Sequence, residues 1–156
     1  MEHIVKILLT GDTNTGKTTL ARAIIEQVAG CNNFDFVAID SFRKPTSTME
    51  EEYSAKLSFA QHATKPVNSI IECSGIGLTA NILLASLRDL IEEMPTIVVA
   101  FHMQPADHSN TPNRVDPMHA VFNFREFNPV VITHSHIDKR LRVVRRILKQ
   151  KTEPIT

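Results

Sequence analysis

Long hydrophobic runs, a set of paired cysteines and an excess of either charge are all missing from this chain of 156 residues. No apolar stretch reaches the roughly 18 to 20 residues that cross a bilayer, so a membrane-spanning helix is excluded. The opening MEHIVKILLT is too short and wrongly flanked for a signal peptide. Only Cys31 and Cys73 occur, in neither a CxxC nor a zinc spacing, which excludes a disulfide-stapled scaffold. Both read as free thiols in a reducing compartment, and the expected location is cytoplasmic. With 42% apolar and 22% charged residues, the composition also argues against disorder and collagen-like sequence. The charges cancel, seventeen basic against seventeen acidic, but unevenly. Seven of the basic residues fall within 139–151, a stretch that holds no acid.

What is present suits one folded domain spanning 1–156. HIVKILLT (3–10), FDFVAI (34–39), VNSIIE (67–72), TIVVAF (96–101) and VVIT (130–133) read as β-strands. Between the first two, TTLARAIIEQVA places Leu20, Ala23, Ile24 and Val28 at helical spacing and ends toward Gly30, a suitable C-cap. Thr48 and Glu51 form a capping-box pattern that opens a helix running to about Thr64. A further helix is predicted over 79–93, with Ile82, Leu83, Leu87, Leu90 and Ile91 facing inward. The last helix, 137–150, sets Ile137, Leu141, Val144 and Leu148 on its apolar face. Strands alternating with helices predict a three-layer α/β/α domain around a mostly parallel five-stranded sheet, with ligands beyond the C-terminal strand ends. Residues 103–129 lack clear periodicity and read as a long loop or short helical insert, a length usually reserved for function.

The chemistry concentrates at Gly11-Asp12-Thr13-Asn14-Thr15-Gly16-Lys17-Thr18, which fits G-x-x-x-x-G-K-[ST] in full and is followed by Thr19. It lies after a strand and before a helix, the context that gives the pattern physical meaning. Its glycines let successive N–H groups point at phosphate oxygens, and the helix N-terminus adds positive potential. Here Lys17 would reach the β/γ-phosphates and Thr18 would face Mg²⁺. On these residues the chain resembles the P-loop NTPase superfamily, which implies ATP as co-substrate and Mg²⁺ as cofactor.

An ATPase, a GTPase switch and a kinase share this loop, and other positions separate them. After the second strand, AIDSFRKP delivers Asp40 with Arg43 three residues on, a pattern that resembles the polynucleotide 5′-hydroxyl kinases. That likeness implies Asp40 as the base taking the acceptor hydroxyl's proton and Arg43 as the holder of an acceptor phosphate. Glu72 ends the third strand, which in the kinase branch usually lies beside the P-loop strand. It could accompany Thr18 at Mg²⁺ or serve as a second acid facing the acceptor. The small residues Ser74, Gly75 and Gly77 resemble the acceptor wall of shikimate-kinase-type enzymes. The insert at 103–129 is the lid candidate, with Arg114 and Arg125 as its charge-stabilising arginines, although the close arginine pair of many small kinases is missing.

A GTPase would need an Asn-Lys-x-Asp code where this chain has Thr133-His134-Ser135-His136-Ile137-Asp138. His102, Asp107, His108, His119, His134 and His136 match no zinc spacing and read as surface and loop residues. In DKRLRVVRRILKQK, residues Lys139, Arg142, Arg146 and Lys149 share one side of the last helix, with Arg140 and Arg145 near its flanks. This reads as a solvated face, or as a contact for a nucleic-acid backbone. The expected activity is ATP- and Mg²⁺-dependent phosphoryl transfer to a hydroxyl, on a nucleic-acid 5′-end, a nucleoside or a nucleotide. A small-metabolite kinase and a nucleotide-dependent switch or assembly ATPase remain the alternatives.

Overall fold

Alternation along the first strand decides the layering. In β1 (Ile4–Gly11), Ile7 and Leu9 enter one apolar cluster while Leu8 enters another on the opposite face. All three are fully buried, each contributing about 1.5–3 kcal/mol relative to exposure. The computed structural model describes residues 3–12, 15–105 and 117–153. After β1 come α1 (Lys17–Gln27), β2 (Asp35–Ala38), a 3₁₀ turn (Ile39–Phe42) and α2 (Met49–Ala63). Then follow β3 (Ser69–Glu72), α3 (Gly77–Glu93), β4 (Thr96–Gln104) and α4 (Pro117–Asn123). A second 3₁₀ turn (Arg125–Phe127), β5 (Val130–Thr133) and α5 (Ile137–Thr152) close the order.

The sheet runs β2-β3-β1-β4-β5, and all its pairings are parallel. Helices α1 and α5 cover one face and α2 and α3 the other, which gives the three layers and five parallel strands predicted. The strand β3 is hydrogen-bonded directly to β1, with Glu72 in register between Leu9 on one side and Ala38 on the other. Every loop that follows a strand therefore opens at the same end of the sheet, and the middle of that end carries the phosphate loop beside the end of β3.

Local chemistry matches most of the predicted elements. Thr48 accepts from the Glu51 N–H while the Glu51 side chain accepts from Thr48, so the capping box is formed. Helix α1 stops earlier than the Gly30 cap suggested, since Val28 is already extended and caps it. Strand β4 continues three residues past the predicted end, and Ile91 is 38% exposed where an inward face was predicted. The insert resolves into α4 and the second 3₁₀ turn at its C-terminal end.

Lys6 is an ion within the core, fully buried on the α2/α3 face. Its ammonium donates to Lys65 O (2.7 Å), Val67 O (2.7 Å) and Ser69 Oγ (2.8 Å), pinning the α2–β3 connection to β1. Burial lowers its pKa to about 8, against a smaller opposing pull from Asp35.

Candidate functional site

The helix α1 starts at Lys17 because Gly16 turns the chain with φ 84°, a left-handed conformation, and no side chain caps the helix. Its first-turn N–H groups are thereby left for an anion, and the macrodipole favours one. Thr15 Oγ1 donates to Asp12 O at 2.7 Å, tightening the loop from within. Lys17 is buried and turns back along the loop, donating to Gly11 O and, at 3.2 Å, to Asp12 O. Burial lowers its pKa, and the charge of Glu72 is the largest force opposing that shift. Thr13 and Asn14 lie outside the described residues, while Thr19 is exposed in the first turn of α1.

Glu72 is 8% exposed at the end of β3, and both of its carboxylate oxygens accept from Thr18 Oγ1 at 3.1 Å. Burial raises its pKa, whereas the Thr18 hydroxyl and Lys17 lower it. Asp40 is one of the charges felt by both Lys17 and Glu72, so the predicted base and the loop share one electrostatic neighbourhood. The 3₁₀ turn after β2 carries that base into solvent, its side chain 82% exposed. Arg43 stands between two carboxylates, 3.6 Å from Asp40 Oδ1 and 3.6 Å from Glu52 Oε2. Glu52 also lines a groove of about 390 Å³, together with Ser47, Met49, Tyr53, Lys56 and Leu78.

The turn from β3 to α3 is fastened to the loop strand. Gly11 N–H donates to Ser74 O at 3.2 Å, and Cys73 N–H to Leu9 O at 3.1 Å. Gly75 has φ 93°, and a Cβ there would lie 2.9 Å from Thr10 Cβ and 3.0 Å from Ala120 Cβ, so α4 closes over this turn. Asn123 Nδ2 donates to Gly75 O at 3.0 Å. Cys73 is buried and its pKa is pushed up to about 12 by desolvation, which leaves a thiol without nucleophilic character.

Of the lid arginines, Arg114 lies outside the described residues. Arg125 is exposed, with its guanidinium 4.0 Å from the Phe122 ring centroid and Nη1 donating to Phe122 O at 2.9 Å. Three features escaped the sequence reading. His102 is 2% exposed rather than superficial, with Nδ1 2.9 Å from Thr10 Oγ1 beneath the loop, and burial lowers its pKa. Asn123 secures the turn from β3 to α3. Arg140 is 5% exposed instead of flanking a solvated face. Its signal was legible, since position 140 lies three residues after Ile137 and four before Val144, on the inward stripe. The other cations named on α5, Lys139, Arg142, Arg145, Arg146 and Lys149, are exposed.

A family model described as "ATPase family associated with various cellular activities (AAA)" matches residues 7–139. No curated protein matches the chain. Solved structures do. The APS kinase of Mycobacterium tuberculosis is 13% identical with a TM-score of 0.63, over 96% of this chain and 99% of that one. A gluconokinase from Sinorhizobium meliloti is 11% identical with a TM-score of 0.58, over 96% and 93%. Shikimate kinase from Acinetobacter baumannii, solved with shikimate, is 16% identical with a TM-score of 0.54, over 96% of each chain. At these identities the likeness is one of fold, that of the small P-loop kinases.

Proposed function

The chain belongs to the ATPase family associated with various cellular activities (AAA), a P-loop family, and from that premise we propose that it transfers the γ-phosphate of ATP to a hydroxyl. The observation that carries this reading is the placing of Lys17, Glu72 and Asp40 beyond the C-terminal ends of β1, β3 and β2, near enough that the charge of Asp40 acts on the other two. A phosphate grip alone serves a switch as well as a kinase. An exposed carboxylate beyond β2, across β3 from that grip, suits a second substrate.

Backbone N–H groups of the loop and of the α1 N-terminus bind the phosphates, and Lys17 swings from the Gly11 and Asp12 carbonyls to the γ-phosphate oxygens. Asp40 accepts the proton of the attacking hydroxyl while Arg43, already poised beside it, orients the acceptor. Thr18 and Glu72 offer hard oxygen donors that fit Mg²⁺, and they would hold it. When bound, that ion neutralises charge on the β- and γ-phosphate oxygens. Gly75 keeps the acceptor wall close, and α4 over it keeps water out.

A small hydroxyl compound suits the acceptor side best. The groove lined by Glu52, the ion-pair partner of Arg43, has the volume of a small-molecule site. A nucleic-acid 5′-hydroxyl is the second reading, favoured by the exposed cations of α5 and by the Asp40/Arg43 spacing. Against it, α5 follows β5 at one edge of the sheet and Asp40 follows β2 at the other. Transfer from [γ-³²P]ATP should be screened against sugars, hydroxy acids, nucleosides and 5′-hydroxyl oligonucleotides, with water as the reference. Label on an acceptor supports the kinase reading, and hydrolysis alone would replace it with the switch or assembly ATPase.

A further inference from the structure

One cation in this fold has an unmet hydrogen-bonding need, and it lies against the phosphate loop. Arg140 sits in the first turns of α5, buried, with Nε donating to Ser135 O at 3.0 Å. Its Nη1 has no hydrogen-bond partner, the one buried side-chain nitrogen or oxygen so placed among the described residues. A buried guanidinium nitrogen without an acceptor is costly, because its desolvation is not offset. Such groups are kept where something absent from the bare fold supplies the acceptor.

The position of Nη1 says which acceptor. A Cβ built on Gly16 would lie 2.7 Å from it, and His134 Cδ2 would be 3.6 Å from the same point. Gly16 is the residue that caps α1 and leads into Lys17, so the guanidinium lies over the loop's helix end. Only a glycine allows this approach, on grounds of both space and its φ of 84°. Asp40 follows β2 and α5 follows β5, the two outer strands of the sheet, so Arg140 approaches the loop from the side opposite the proposed acceptor.

We propose that Arg140 is a nucleotide-contacting residue whose Nη1 donates to a phosphate oxygen of the nucleotide held by the loop at Gly16–Thr18. This rests on the nucleotide-binding reading of that loop and not on the identity of the acceptor. A guanidinium suits the task because it stays charged when buried and forms short, directional bonds to phosphate. It would act as a second fixed cation beside Lys17, carried by a helix instead of by a lid. That position accounts for a charged residue on the apolar stripe of α5, where a leucine would pack at lower cost.

The test is calorimetric titration of ATP and of inorganic triphosphate into wild type, Arg140→Met, Arg140→Lys and Lys17→Ala. Arg140→Met should weaken both ligands about 10- to 100-fold, the loss that follows removal of a charge-assisted hydrogen bond. Arg140→Lys, which keeps the charge but cannot serve Ser135 and a phosphate together, should fall in between. Unliganded Arg140→Met should melt close to wild type, since the bond it loses is offset by the orphaned nitrogen it removes. Wild-type affinity for both ligands in Arg140→Met would overturn the proposal, and a loss for ATP but not triphosphate would overturn its phosphate contact. Should the variants fail to fold, the ¹⁵N guanidinium signal of Arg140 in wild type must shift on adding triphosphate, and an unmoved signal at saturation overturns it. Lys17→Ala separates the two readings: unchanged ATP binding there would remove the nucleotide site itself.

Discussion

The Thr18 hydroxyl stands 3.1 Å from each carboxylate oxygen of Glu72, joining the first turn of α1 to the last residue of β3. Both groups are hard oxygen donors at the mouth of the loop, and β3 owes its place there to direct pairing with β1. Glu72→Gln keeps the size and an acceptor for Thr18 but removes the charge. The magnesium concentration for half-maximal transfer should rise about 10- to 100-fold, the usual effect of weakening an ion's surroundings. Thermal stability without nucleotide should hold or increase, because burial already disfavours the Glu72 carboxylate. An unchanged magnesium dependence would leave Glu72 as a partner of Thr18 alone.

Asp40 divides kinase from switch. Asp40→Asn preserves shape and hydrogen bonding while removing the proton acceptor, and the side chain is exposed, so folding should be unaffected. ATP affinity should remain at the wild-type level while transfer falls by roughly 10² to 10⁴. Arg43→Lys should mainly raise the KM for the acceptor, since a lysine cannot reproduce the fork now placed between Asp40 and Glu52. Pre-steady-state transfer and equilibrium ATP binding, measured on the same preparations, decide it. Full transfer in Asp40→Asn would make Asp40 a structural residue.

The phosphate loop and the layering were legible because they depend on short-range patterns: glycine spacing, strand alternation, and the Thr48/Glu51 box. Glu72 was legible as a strand-end acid and Asp40 as an acid just past a strand, positions that parallel sheets turn toward ligands. Arg140 and His102 were misread, for a common reason. Each is a polar residue on an inward stripe, and a charge run or a histidine scatter suggests solvent until tertiary packing fixes which side faces in. The bond between Asn123 and Gly75 joins residues 48 positions apart, and no local pattern encodes it.

Lys6 makes stability depend on pH in the alkaline range. Its pKa is about 8 in the fold, lowered by burial from the 10.5 of a free lysine. Between those values the unfolded chain binds the extra proton, so its contribution is complete above 10.5 and is lost as the pH falls through 8. Wild type should therefore gain on Lys6→Met as pH rises from 8 to 10.5, by up to about 3 kcal/mol. Urea unfolding of both proteins across that window measures the difference. A constant difference would mean that the three acceptors around the ammonium cancel the cost of burying it.

The exposed cations of α5 give the acceptor question its sharpest test. Arg142, Arg146 and Lys149 are exposed on the layer that packs against α1, whereas Arg43 and Asp40 belong to the α2 side and the opposite sheet edge. A small acceptor bound near Ser74 and Asp40 would not meet that helix. Replacing the three cations with glutamine should then leave ATP affinity and transfer to the small acceptor within about twofold. A single-stranded oligonucleotide lying on α5 would behave differently, since each neutralised phosphate contributes about 0.7 to the slope of log K against log salt. Oligonucleotide affinity measured against salt for wild type and triple variant should give two coincident lines. A shallower line for the variant, with weaker binding at low salt, would move the acceptor from a small molecule to a nucleic-acid end.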